Sequence, residues 1–460
     1  MRTDARLASI SSIARHVYDP DPNCIRRRGF GSRASLTARA VALLAAIAAG
    51  MLLASVASAS ARGTLYVSTT GTDSGNCQKP DRACASIGYA LSQASPGSRV
   101  LVGPGTYPES ANPGGGANLI TPGLTGVTLT SNRAWGASAA NTVIDATGQR
   151  SGILDQANNT TVSGFTVEHA QLEGILVEPP PSRWPASPTA SPANVSRVTV
   201  EDNVVEHNDL AYDTTAPNPM AACPTSPTDG DDCGEGIHLL ATTYSRVVGN
   251  QVAHNVGGIL LSDGGLPTAT GGPTSVGPAA HNVIAFNAST DNAFDCGITL
   301  PSHDPRAVST QGQPQPSLAG VYDNLVVGNV SKTNGGAGLL DATPYPGTGA
   351  YDNTFVHNFV ADNGEGGFQL HSHAPQQDVN GNRVVGNVFG TNNIAGDPDS
   401  GDRSTTAIIL FSAVVPVTNT VVVGNVINGD TNGIWKTANV TARGLELNVF
   451  LNVGTDVFTQ

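Results

Sequence analysis

Between about residues 120 and 455, apolar residues come in short β-branched runs rather than the 3.6-residue stripes of amphipathic helices. An Asn closes each run, and a second Asn stands five places later. The pairs are Asn203/Asn208, Asn250/Asn255, Asn287/Asn292, Asn329/Asn334, Asn358/Asn363 and Asn387/Asn392, and Asn425 continues the series with Asp430. Upstream lie segments such as Asn324-Leu-Val-Val-Gly-Asn329. Downstream comes Gly with an apolar alternation, as in Gly236-Ile-His-Leu, Gly258-Ile-Leu-Leu, Gly297-Ile-Thr-Leu and Gly367-Phe-Gln-Leu. The interval is 23 to 47 residues, and the variation falls in Gly/Pro-rich stretches.

A repeat of this size predicts a solenoid. Each unit holds two or three strands too short to make a sheet alone, but stacked units pair strand on strand about 4.8 Å apart. Alternate side chains then fill a dry interior. Asn is expected at the tight bends, in left-handed geometry, with its amide bonded to the Asn one layer away. His207, His254 and His357 share those bends. One helix is predicted near 85–94, with Ile87, Ala90, Leu91 and Ala94 on one face, covering an open end of the stack.

The units Asn-x-Val-x-x-Asn…Gly-Ile-x-Leu resemble right-handed parallel β-helix repeats of the pectate-lyase-like superfamily. The opening Thr64-Leu-Tyr-Val-Ser-Thr-Thr-Gly, followed by Cys84-Ala-Ser-Ile-Gly-Tyr-Ala-Leu and Val100-Leu-Val-Gly-Pro-Gly-Thr-Tyr, resembles the usual start of that group. The likeness spans roughly 64–455. It implies an all-β, right-handed parallel β-helix with a short N-terminal capping helix, and a polysaccharide lying across one strand column. The repeat also resembles β-helical periplasmic proteins that help mature copper enzymes. One fold hosts many activities, so the site residues must carry the function.

Charge narrows the partners. The chain of 460 residues is 13% charged and 5% aromatic, with a formal charge of −13. Residues 1–61 hold 8 Lys+Arg against 3 Asp+Glu, and the remainder holds 15 against 33. An acidic body whose lysines are Lys79, Lys332 and Lys436 is a poor binder of nucleic acid. It also favours a neutral or basic glycan over a polyanion, unless a divalent cation intervenes as cofactor. Residues 1–61 read as an export leader: Arg26, Arg27, Arg28, Arg33 and Arg39 precede the apolar run Val41–Val56, and two Ala-x-Ala sites follow. Residues 62–460 read as one secreted or cell-envelope domain with no membrane span. In that setting Cys77–Cys84 and Cys223–Cys233 are expected as local disulfides, with Cys296 left over.

Long insertions flank the Gly-Ile-x-Leu strand and leave the Asn bends short, which points to a groove over the outer face of that column. The alternation assigns His238, Leu260, Thr299, Leu340, Gln369, Ile409 and Trp435 outward. His238, Gln369 and Trp435 are the candidate substrate-binding residues. Strand exits add Glu178, Asp263, His303, Asp304, His371 and His373; the register of Asp341 is ambiguous. Asp263, His303, Asp304, His371 and His373 are the candidate catalytic set. A carboxylate of Asp263 or Asp304 would act with the imidazole of His303 or His371 as general acid/base. His371-Ser-His373 alternatively suits a metal, since two His one residue apart on a strand face one side. Three readings stay open: a glycosidase, lyase or epimerase; a non-catalytic glycan-binding or surface protein; and a metal-handling accessory protein. Gly230-Asp231-Asp232-Cys233 resembles a polygalacturonase element, and Ser302-His303-Asp304-Pro305 departs from the Asp-Pro-His order of mannuronan epimerases.

Overall fold

The computed structural model describes residues 63–108, 116–183, 193–212, 234–268, 272–304 and 319–460. Residues 1–61, expected to be an export leader, and Cys223 and Cys233 lie outside the described residues.

The chain is a parallel β-helix. Three long sheets of 12, 11 and 11 strands run the length of the stack, and a five-stranded sheet adds a narrow extra face in the middle rungs. One rung runs Arg246–Val248, Gln251–Ala253, Gly257–Ser262, and the next runs Val283–Ala285, Ala288–Thr290, Ile298–Pro301. Equivalent strands pair parallel, one rung on the next. Among the described residues the hairpin Gly264–Thr268/Gly272–Ser275 is the antiparallel exception. A right-handed coil is the hand that strand twist dictates for parallel crossovers.

Register fixes the interior. Ile153, Ile175, Ile237, Ile259, Ile298, Leu339, Phe368, Ile408 and Ile434 stack in one line, all buried. Two positions along the strand runs a second interior line, and it contains carboxylates. Asp155 pairs between Ile120 and Val177, and Asp341 between Leu300 and Leu370. The ambiguous register of Asp341 is therefore settled inward. Its carboxyl lies 3.5 Å from Asn353 Nδ2, and burial pushes its pKa well up.

The Asn series forms continuous amide ladders. Asn203, Asn250, Asn287, Asn329, Asn358, Asn387 and Asn425 each donate Nδ2 to Oδ1 of the next, and Asn448 ends the run. A parallel ladder joins Asn208, Asn255, Asn292, Asn334, Asn363 and Asn392. One expectation is corrected. The left-handed residue is not the Asn but the one before it: Asp202, His207, His254, Phe286 and His357 all have φ between 55° and 58°. The ladder Asn itself is not left-handed, and its side chain turns inward to its neighbours above and below. The preceding site points outward and takes the strain, which explains Gly249, Gly328, Gly386 and Gly424 there.

The helix Ile87–Gln93 is capped by Ser86, whose hydroxyl accepts from Tyr89 N at 3.2 Å, and it buries Ile87, Ala90 and Leu91. Cys77 and Cys84 are bridged, and Cys296 is free and buried. No described helix is long and apolar enough to cross a membrane.

Candidate functional site

The outer ladder of the Gly-Ile-x-Leu column pairs in the expected register: His238, Leu260, Thr299, Leu340, Gln369, Ile409, Trp435. Its exposure departs from expectation. His238, Gln369 and Ile409 are fully buried, Trp435, Leu260 and Thr299 nearly so, and only Leu340 is half-exposed. The three candidate binding residues thus line the column without presenting open surface.

The strand exits divide into separate groups. His238 belongs to the first. Its Nε2 lies 2.9 Å from Ser262 Oγ and its Nδ1 lies 4.0 Å from Glu173 Oε1. Glu178 accepts from Gln156 Nε2 at 3.2 Å. Burial, with Glu173 nearby, pushes Glu178 up to about 7.

Asp263 organises the second group. Its Oδ1 accepts from the N–H groups of His303 (2.7 Å) and Asp304 (3.2 Å), and its Oδ2 from Ser302 Oγ and Gly320 N, both at 2.8 Å. Burial and the Asp304 charge raise Asp263 to about 7, against His303 and Ser302. Both Asp263 oxygens are taken up by the chain, so this carboxyl positions the His303 turn and is not open to a substrate. The His303 ring meets Tyr345 of the next rung, with centroids 6.0 Å apart.

His371 and His373 anchor the third group, on the strand Phe368–Ser372 and just beyond it. Their rings contact each other at 5.5 Å, and both contact Phe411 of the following rung at 5.5 and 5.6 Å. Gln377 fixes the turn. Its Oε1 accepts from Ser372 Oγ and Ala374 N, both at 2.8 Å, while its Nε2 donates to the carbonyls of Thr343 and Tyr345. Two carboxylates arrive from the loop before the strand Thr406–Ser412. Asp397 Oδ2 lies 3.2 Å from His371 Nε2, and Asp399 Oδ2 lies 3.6 Å from His371 Nδ1 and 3.7 Å from His373 Nε2. An Asx turn shapes that loop: Asp399 N donates to Asp397 Oδ1 at 2.9 Å, and Ser400 Oγ to Asp397 Oδ2 at 2.5 Å.

Burial pulls the His371 pKa down, but Asp397 and Asp399 outweigh it and lift it to about 9. Burial and the His371 charge lower His373. Burial opposes ionisation of Asp397, yet His371, Ser400 and the Asp399 N–H carry it down to about 2. Burial and the charge of Asp397 push Glu365 the other way, to about 7.

No family model matches the sequence, and no curated protein matches it. The likeness is to solved β-helices. The A-module of mannuronan C-5 epimerase AlgE4 from Azotobacter vinelandii is 14% identical, covering 82% of this chain and 91% of that one, with a TM-score of 0.48. Pectate lyase Pel9A is 15% identical, covering 80% of each, with a TM-score of 0.43. GH136 lacto-N-biosidase from Eubacterium ramulus is 12% identical, covering 86% of this chain and 68% of that one, with a TM-score of 0.46. At such identities the likeness is one of fold alone.

Asp397, Asp399, Glu365, Glu173 and Gln377 escape the sequence reading. Asp397-Pro-Asp-Ser-Gly-Asp402 is an acidic run inside an insertion flanking the column, and that was the available signal. Strand alternation fixes the face a residue takes within a strand and leaves the path of such a loop undetermined.

Proposed function

We propose that this β-helix is an exported protein that acts on a polysaccharide lying along the exit edge of the Gly-Ile-x-Leu column, with its chemistry around His303, Asp304, His371 and His373. One observation carries the reading: half-buried rings of Tyr345, His373 and Phe411 stand at the exits of three consecutive rungs, with His303 one rung earlier. Three rung spacings of about 4.8 Å make an edge longer than one sugar ring. Aromatic faces interleaved with imidazole and carboxylate suit a pyranose, which has apolar faces and a polar rim. The acidic body favours a neutral or amino glycan. The Cys77–Cys84 bridge and the leader support an oxidising, extracytoplasmic setting.

A glycan panel tests this, scored separately for binding and for new reducing ends or unsaturated products. Tyr345→Ala and Phe411→Ala should weaken binding of the responsive glycan, and His373→Ala should lower turnover by about 10²–10⁴-fold. Binding without turnover moves the protein to the non-catalytic reading. No response to any polysaccharide overturns the proposal.

A further inference from the structure

We infer that His371, His373 and Asp399 form a binding site for a first-row transition-metal dication of the zinc type, with Asp397 orienting His371 from behind. The inference goes beyond the glycan reading and stands or falls separately from it.

Three observations converge. The donor atoms are already gathered: Asp399 Oδ2 lies 3.6 Å from His371 Nδ1 and 3.7 Å from His373 Nε2, and all three atoms lie within 4.8 Å of one another. An ion about 2.0–2.1 Å from each ligand in a tetrahedron holds them roughly 3.4 Å apart. Small side-chain adjustments would bring the three donors to that spacing. Next, the two nitrogens of His371 are differentiated. Nε2 is buried, faces Asp397 at 3.2 Å, and has no aligned hydrogen-bond partner. A single ring proton on the Asp397 side would leave Nδ1 unprotonated toward Asp399 and His373. This carboxylate–imidazole–metal order is how metal-binding histidines are oriented. Finally, Asp397 is itself fixed by Ser400 and by the Asp399 N–H, while the Asp399 side chain is 53% exposed and reachable by an incoming ion.

Two imidazoles with one carboxylate select first-row transition ions over calcium or magnesium, which take oxygen ligands. Three protein ligands would leave a fourth position open. An ion there would hold water or a sugar hydroxyl.

The test uses purified, chelator-stripped protein, with Zn²⁺ binding by calorimetry and Co²⁺ binding by visible absorption. The parent should take up one equivalent of Co²⁺ with a low-coordinate d–d band, displaceable by Zn²⁺. His373→Gln and Asp399→Asn lie at partly exposed positions and should keep the parental melting curve. Each should remove that equivalent and that band. Asp397→Asn should keep the stoichiometry and weaken affinity about 10–100-fold, the usual worth of an outer carboxylate. Failure to bind either ion, or binding undiminished in both His373→Gln and Asp399→Asn, overturns the site. In that case His371 is an imidazolium clamped between two carboxylates. Glycan binding by the stripped protein is measured in parallel, so loss of one proposal does not remove the other.

Discussion

Replacing Asn358 by Ala interrupts the first amide ladder at its middle. Asn358 Oδ1 accepts from Asn329 N and Asn329 Nδ2, both at 2.9 Å. Its Nδ2 donates to Val326 O at 3.0 Å and to Asn387 Oδ1 at 2.9 Å. The substitution strands two buried donors, the Asn329 N–H and one Asn329 amide hydrogen. Asn387 Oδ1 keeps the Asn358 N–H, so that acceptor is only partly lost. Two orphaned buried donors at about 1–3 kcal/mol each give a loss of roughly 2–6 kcal/mol. Asn358→Asp keeps the acceptor but sets a second oxygen against two other acceptors. It should be damaging at pH 7 and milder at pH 4, where the acid can donate. Asp430 shows the same tension at the end of the second ladder, where burial raises its pKa to about 7. Guanidinium unfolding followed by circular dichroism measures the loss, and hydrogen exchange at the Asn329 amide locates it. Asn428→Ala is the control: exposed, outside the left-handed region, and accepting one bond from Asn452, it should cost under about 0.5 kcal/mol. An Asn358→Ala midpoint indistinguishable from the parent refutes the ladder as a source of stability.

Further outcomes follow from the buried acids and the thiols. Asp155 is fully buried, and burial outweighs Thr160 and the Ala157 N–H to raise it from 3.8 to about 7. Between those values the unfolded chain is ionised and the fold is not, so stability should fall as pH rises from about 4 to 7, by about 4 kcal/mol at most. Asp155→Asn should flatten that slope, and an unchanged pH–stability curve refutes it. Asp341→Leu should raise the melting temperature, because a poorly bonded acid between Leu300 and Leu370 is replaced by a matching aliphatic; a lower melting temperature would assign Asp341 a polar role. In the chain-entropy model the Cys77–Cys84 bridge contributes about 2–3 kcal/mol, so Cys84→Ser should lower the unfolding midpoint accordingly. Cys296 should react with a thiol reagent only after denaturation.

The repeat made the architecture legible because strand alternation and a five-residue Asn spacing leave little choice of register. His238, Gln369 and Trp435 could be aligned from sequence for that reason. Their burial could not, since it depends on neighbours that pack from outside the column. The same limit affects His371. As an outward residue it would tolerate replacement, but it is 3% exposed and paired with a buried Asp397. Removing it leaves a buried charge uncompensated, a loss of about 3–5 kcal/mol, so activity lost in His371→Ala must be read beside its melting curve. Asp263 shows the converse. A carboxylate at a strand exit has the composition of a catalyst, and only its four donors reveal a structural anchor.

The placement of the insertions follows from the ladders. At the first Asn corner the amide must meet its counterparts above and below, so the chain there cannot lengthen in one rung without breaking bonds in two others. Insertions are therefore excluded from the bends around Asn203, Asn250 and Asn287. They collect on both sides of the Gly-Ile-x-Leu strand, in the stretches between its ends and the flanking ladders that run through Asn208 and Asn255 before it and through Asn282, Asn324 and Asn353 after it. Asp397 and Asp399 arrive on one such insertion, and Tyr345 and Gln377 on two others. Imidazoles at the Asn bends, such as His207 and His254, stack on one another 5.1 Å apart with no second group brought to them. His371 and His373 meet two carboxylates and an aromatic ring because their end of the rung is free to vary. Among the described residues, the architecture that makes the solenoid uniform leaves the ends of the Gly-Ile-x-Leu strands as the place where side chains from different loops can converge.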